Sequence, residues 1–310
     1  MEPIRANISF EIESKGEHIM ILVTGAGGTV GSEVVKQLRQ TGEPFRAAFH
    51  SAQKAAKAKT EGVDSVVLDF ADRSSVAAAL KGVDKLFLLG PTVANQSEIE
   101  NNVVDEAKKA GVKHIVKLSV LDAPRKDYIF ARWHREVEEN IERSGMAYTF
   151  LRPTGFMQNY VTYQGDTIRT QNSFYLAVGD SKAPYVDIRD IAAVAVKALT
   201  EPGHEGKAYN LTGPEPLSNH EVAGKLSRAL GREIKYVAIP PEAFREGAKA
   251  AGLPDFHIDA LADLDRFYLT YKQPVSDSVE RVTGRKPHNF DDFARDYAHA
   301  LAPAAARQAG

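Results

Sequence analysis

The chain has 310 residues, 43% of them hydrophobic and 26% charged, which is the make-up of a folded protein with a sizeable core. A net charge of −2 gives no cationic footprint for nucleic acid, and the lack of cysteine excludes disulfides, thiolate catalysis and cysteine–zinc sites. No apolar run approaches the roughly 20 residues that cross a bilayer, and the acidic opening stretch has no secretory h-region, so the chain is read as cytoplasmic.

The first strand begins near Met20, which leaves residues 1–19 as an expected extension outside the core fold. Apolar runs then predict strands at 20–24, 45–49, 65–69, 85–89, 114–119 and 147–152. Helical periodicity fills the gaps at 30–41, 51–60, 73–80, 95–110 and 130–144. Short, continuously apolar strands alternating with helices predict a doubly wound parallel α/β sheet of Rossmann type, with ligands beyond the carboxyl ends of its strands. After residue 152 the rhythm breaks. Residues 153–182 read as loop-rich, a strand and helix are expected within 184–200, a strand at 207–212, and mainly helix thereafter. The expected division is a dinucleotide domain from 20–153 and 183–213, and a smaller substrate lobe from 154–182 and 214–310.

The strand-to-helix junction "VTGAGGTVG" (23–31) concentrates glycine where glycine is costly. Gly25, Gly28 and Gly31 stand at three-residue steps, with Thr29 and Val30 opening the helix. Gly25 suits a tight turn, Gly28 a backbone that approaches a pyrophosphate, and Gly31 a helix packed close to its strand, while the helix N-terminus offers free N–H groups to the anion. The loop is therefore expected to cradle a dinucleotide.

That spacing resembles the extended and atypical short-chain dehydrogenase/reductase superfamily. "VKLSVLDA" (116–123), "HREVEENIERSGMAYTFLRPTGFMQNY" (134–160), "PYVDIRDIAAVA" (184–195) and "VTGRKPHNFDDFA" (282–294) narrow the resemblance to the NmrA-like family, within it to the triphenylmethane reductase and NAD(P)H:quinone oxidoreductase group. The similarity runs from about residue 20 to about 297. It implies that Asp69 and Phe70 flank an adenine, that Leu89, Gly90 and Pro91 line the path toward a nicotinamide, and that Ser119 and Pro153 stand beside it.

The stretch after the second strand, "FRAAFHSAQKAAK", has no acid to bind a ribose 2′-hydroxyl. His50 and Lys54, with Ser51 and the earlier Arg46, favour a 2′-phosphate, so the expected cofactor is NADP(H), with NAD(H) left open. The family often carries arginine at the place of His50.

Typical short-chain dehydrogenases place a Tyr-x-x-x-Lys pair on one helix face, with a serine at the end of the preceding strand. Ser119 fits the serine, but the tyrosine's place falls on Phe130 and the lysine's on His134, and Tyr128 is two residues out of register. His134 is thus either a proton donor or a helix-surface residue pairing with Glu138. Acceptors that take hydride directly, such as quinones, need no such acid. Phe156, Met157 and Tyr160 are the expected walls of an aromatic-substrate pocket. No HExxH motif or histidine spacing suggests a metal.

The sequence thus predicts an NADP(H)-dependent reductase passing hydride to a conjugated, electron-poor, small aromatic or quinone-like acceptor, with no nucleic-acid or membrane partner and a monomeric or homodimeric state. A non-catalytic, NAD(P)-binding redox-sensing regulator, a role the family also contains, is the alternative.

Overall fold

A computed structural model describes residues 19–303, so all of the expected N-terminal extension except Ile19 lies outside the described residues. In chain order the elements of the sheet half are β1 Ile21–Val23, α1 Thr29–Leu38, β2 Phe45–Phe49, α2 Ala52–Thr60, β3 Ser65–Val67, α3 Arg73–Ala79, β4 Lys85–Leu88, α4 Gln96–Ala110, β5 His114–Leu118, α5 Ile129–Ser144 and β6 Ala147–Pro153. There follow α6 Asn159–Thr162, α7 Gly165–Gln171, β7 Ser173–Leu176, β8 Lys182–Ala183, α8 Ile188–Thr200, β9 Lys207–Leu211, β10 Leu217–Ser218, α9 Asn219–Leu230, β11 Lys235–Ala238, α10 Pro241–Ala250, α11 Asp255–Thr270, α12 Ser278–Thr283, α13 Phe290–Asp296 and α14 Ala298–Leu301.

Seven strands form a parallel sheet in the order β3-β2-β1-β4-β5-β6-β9. Its central strands are apolar on both sides because both faces are covered. Val30 and Val34 of α1, Ile191 and Val194 of α8 and Val279 of α12 pack on one face. Val76 of α3, Val103 and Val104 of α4 and Val137 and Ile141 of α5 pack on the other. The order reverses between β1 and β4, and the crevice beyond that switch point is where such sheets bind ligands.

A second core, containing Tyr160, Ile168, Phe174, Leu226, Phe290 and Phe293, holds the remainder together. The two-stranded parallel pairing of β7 with β11 belongs to it. The stretch 153–182 is therefore more ordered than its loop-rich reading. The expected strand before α8 is reduced to a single bridge, Val186 to Phe156. Pro184 has no N–H for a ladder, and the Asp187 side chain accepts the Arg189 N–H to start the helix.

Candidate active site

The glycine loop leaves β1 and enters α1 through a turn in which Gly25 has φ +65° and its carbonyl accepts the Gly28 N–H at 2.9 Å. A Cβ on Gly31 would sit 2.1 Å from the Gly25 oxygen, so the turn can close onto the helix only if residue 31 is glycine. Gly28 differs. Its φ of −97° is open to any residue, and a Cβ there would meet only the Gly25 oxygen, at 3.4 Å. It precedes a helix with no side-chain cap, so the first N–H groups of α1 are left for an anion.

This loop floors a groove of about 760 Å³ lined also by Phe49, His50, Lys54, Asp69 and Phe70. The groove continues over Leu89, Gly90 and Pro91 to Phe156. Lys54 reaches over the loop: its Nζ comes within 3.7 Å of the position a Gly27 Cβ would take. Arg46 faces away, held by the Asp64 carboxylate at 3.0 Å. Thr29 and Val30 line the groove, whereas Gly31 is buried against the turn. A cradle that a side chain on Gly28 would obstruct, capped by open helix N–H groups, fits a dinucleotide.

At the ends of β4 and β5 the groove opens into an inner cavity of about 250 Å³, the two sharing Leu89, Gly90, Leu118 and Phe156. Ser119 and Pro153 line this cavity, and Ser119 Oγ is buried without a hydrogen-bond partner. Its walls are aromatic: Tyr128 and Phe130 at the start of α5, Phe267 and Tyr268 from α11, and Tyr163. Met157 and Tyr160 do not line it. Met157, in the turn leading to α6, is 1% exposed in the second core, and the hydroxyl of Tyr160, within α6, donates to Asn219 Oδ1 at 2.6 Å, so both face inward.

His134 lies on this cavity and is buried, not on the helix surface; its expected partner Glu138 instead accepts from Arg152 at 2.7 and 2.9 Å and from Arg135 at 3.1 Å. Behind it stands a group that the sequence reading missed. Lys117 of β5 is fully buried, and its ammonium lies 2.6 Å from Glu100 Oε2 of α4. The ammonium donates to the Leu118 carbonyl at 2.9 Å and to His134 Nδ1 at 3.2 Å. Glu100 Oε1 accepts the Gly90 N–H at 2.9 Å. A Cβ on Gly90 would fall 2.5 Å from that same oxygen, which explains the glycine at the end of β4.

Burial, and next the Lys117 ammonium, hold His134 well below the ordinary histidine pKa. The ring is therefore neutral, and with Nδ1 accepting from lysine its proton is assigned to Nε2. Tyr128 is not an available acid either. Its hydroxyl donates to the Leu121 carbonyl at 2.6 Å, and burial raises its pKa.

On the outer side of α11 a separate cavity of about 580 Å³ is lined by Arg132, Phe244, Arg245 and Asp265. Burial pushes the Asp265 carboxyl up to about 7. This cavity shares no residue with the groove over the glycine loop. Among the described residues no cluster of His, Asp or Glu could hold a metal, and no helix is long and apolar enough to cross a membrane.

The NAD(P)H azoreductase of Xenophilus azovorans is 42% identical over 287 residues, spanning 92% of this chain and 100% of that protein. The crystal structure of an NADPH-dependent quinone oxidoreductase from Escherichia coli, complexed with NADPH, superposes with a TM-score of 0.81 at 29% identity, covering 90% of this chain and 99% of that one. A Citrobacter triphenylmethane reductase gives a TM-score of 0.81 at 25% identity, with coverage of 91% and 99%. The family model described as NmrA-like matches residues 17–294, from just before β1 into α13. With the glycine loop, the sheet order and this match in agreement, the chain belongs to the NmrA-like family.

Proposed function

We propose that the protein is an NAD(P)H-dependent oxidoreductase that uses NADP(H) to reduce a flat, conjugated, electron-poor acceptor such as a quinone. The observation that carries this reading is an aromatic-walled cavity opening directly onto the dinucleotide groove, with a neutral histidine on its wall. Gly25, Gly28, Thr29 and Val30 would receive the pyrophosphate, His50 and Lys54 the 2′-phosphate, Asp69 and Phe70 the adenine end, and Leu89, Gly90, Pro91, Ser119 and Pro153 the nicotinamide end. When bound, the dinucleotide supplies the hydride.

The chain's own contribution is orientation and exclusion of water. Phe156, at the junction of groove and cavity, keeps a planar acceptor against the cofactor side, and Ser119 offers a hydroxyl with no other partner. His134 offers an Nε2–H as a hydrogen-bond donor but holds no imidazolium proton to give. That suits an acceptor whose reduced form takes its proton from water.

The test is NADPH oxidation against a panel of quinones, azo dyes and triarylmethyl cations, with NADPH and NADH affinities measured by calorimetry. Quinones are expected to turn over, and NADPH to bind more tightly than NADH. His134→Ala should lower kcat for quinones by less than about tenfold, about 1.4 kcal/mol of transition-state stabilisation. A hundredfold loss with unchanged NADPH affinity would make His134 a true acid, because general acid catalysis contributes ~10²–10⁴-fold. Dinucleotide binding without turnover of any acceptor would replace the reductase reading with the regulator.

A further inference from the structure

Gln273 follows α11 and lines the inner cavity together with Gln96, Ser119 and His134. It is 3% exposed, yet neither its Nε2 nor its Oε1 has a hydrogen-bond partner. The Tyr268 hydroxyl is near enough to feel the amide, but no hydrogen bond of normal geometry joins them. Other buried amides do better: Gln96 donates to Glu100 and Asn219 accepts from Tyr160, so each has one end satisfied. Among the described residues Gln273 is the buried amide that leaves both ends unmet. Burying a donor and an acceptor without partners is costly, and an amide that does so on a cavity wall has both ends open to a ligand.

We propose that Gln273 determines acceptor specificity by reading a carbonyl and an adjacent N–H or O–H on the substrate. This rests on the reductase reading of the same cavity. The amide N–H meets the carbonyl oxygen, and the amide oxygen meets a donor on the neighbouring carbon. It is the fit by which a glutamine pairs two-pronged with the acceptor and donor on adjacent carbons of an adenine edge. The substrate class is thus a conjugated carbonyl compound bearing such a donor, with 2-aminoquinones as the simplest case. A plain quinone satisfies the amide N–H and leaves Oε1 orphaned. Sites built to hydrogen-bond a polar group reject analogues lacking it far more strongly than apolar pockets reject a missing methylene.

The chain's single tryptophan, Trp133, packs edge-on against Phe130 at 5.5 Å between ring centres, and Phe130 lines the cavity. Its fluorescence therefore reports occupancy without turnover. The protein, loaded with NADP⁺, is titrated with 2-amino-1,4-naphthoquinone and with 1,4-naphthoquinone; no cysteine is present for the quinones to alkylate. The aminoquinone is expected to bind about ten- to a hundredfold more tightly. Gln273→Met, similar in volume but without either polar group, should bring the two affinities within about threefold, whereas Gln273→Glu, which keeps the acceptor and loses the donor to the shared carbonyl, should weaken binding of both quinones and retain the preference. A wild type that does not distinguish the two quinones overturns the proposal, as does a preference that survives Gln273→Met or is lost in Gln273→Glu. So does a Gln273→Met protein that binds NADP⁺ more weakly with the preference intact, for the amide would then serve the dinucleotide. A preference lost only in Gln273→Met, in a protein that never oxidises NADPH, upholds Gln273 as the reader and removes the reductase reading instead.

Discussion

Gly28 and Gly31 are three residues apart and glycine for different reasons. At Gly31 the obstacle is the protein itself, the Gly25 carbonyl 2.1 Å from where a Cβ would stand. Gly31→Ala should therefore cost about 1–3 kcal/mol of stability through forced backbone shifts, measured by urea unfolding. At Gly28 the protein offers no such obstacle, so Gly28→Val should leave the unfolding free energy within about 0.5 kcal/mol while abolishing dinucleotide binding by calorimetry. Near wild-type affinity in the valine protein would remove Gly28 from the phosphate cradle. His134 makes the same point in electrostatic form: a histidine read from sequence as an acid or a surface residue is buried, neutral and positioned by a lysine.

The Glu100–Lys117–His134 chain joins α4, β5 and α5 beneath the cavity, and through Gly90 it reaches β4. Removing one charge of a buried pair strands the other, at a cost of about 3–5 kcal/mol. Lys117→Met should accordingly be destabilised by that amount in urea, and adding Glu100→Gln should restore most of it, since glutamine still accepts the Gly90 N–H. A double variant no more stable than Lys117→Met would mean that the pair is not coupled. None of this was legible in the sequence. In "HIVKLS" a lysine within an apolar strand reads as an edge charge, and Glu100 reads as the solvated face of a helix; only the tertiary meeting of the two gives either a role. The strands were legible because continuous apolar runs bounded by turns leave few alternatives, and β2 begins and ends where its pattern does. The β7–β11 pairing was not, because its partners lie about 60 residues apart and each is four residues long. Phe156 was legible as a cavity residue from its place after β6, whereas Met157 and Tyr160, read from the same cluster, face the lobe core. A run of aromatics says that a pocket or a core is near but not which residue turns which way.

For the molecule as a whole, Asp265 makes stability depend on pH. Its pKa is about 7 in the folded protein against about 4 when unfolded, so the native state holds the proton more tightly and loses stability as pH rises from about 4 through 7. Asp265→Asn, which has no proton to lose, should gain on the wild type by about 2–3 kcal/mol between pH 5 and pH 8, read as a widening difference in urea midpoints. A constant difference would show that the carboxyl titrates normally. The inner cavity, by contrast, matters for order of events. Groove and cavity have Leu89, Gly90, Leu118 and Phe156 in common, so the occupants of the two lie against the same four residues. Donor and acceptor then occupy the protein together, and neither can leave a half-reaction behind for the next visitor. In initial-rate experiments with both concentrations varied, double-reciprocal lines should intersect and not run parallel, with the dinucleotide the leading reactant and its oxidised form the last product to depart.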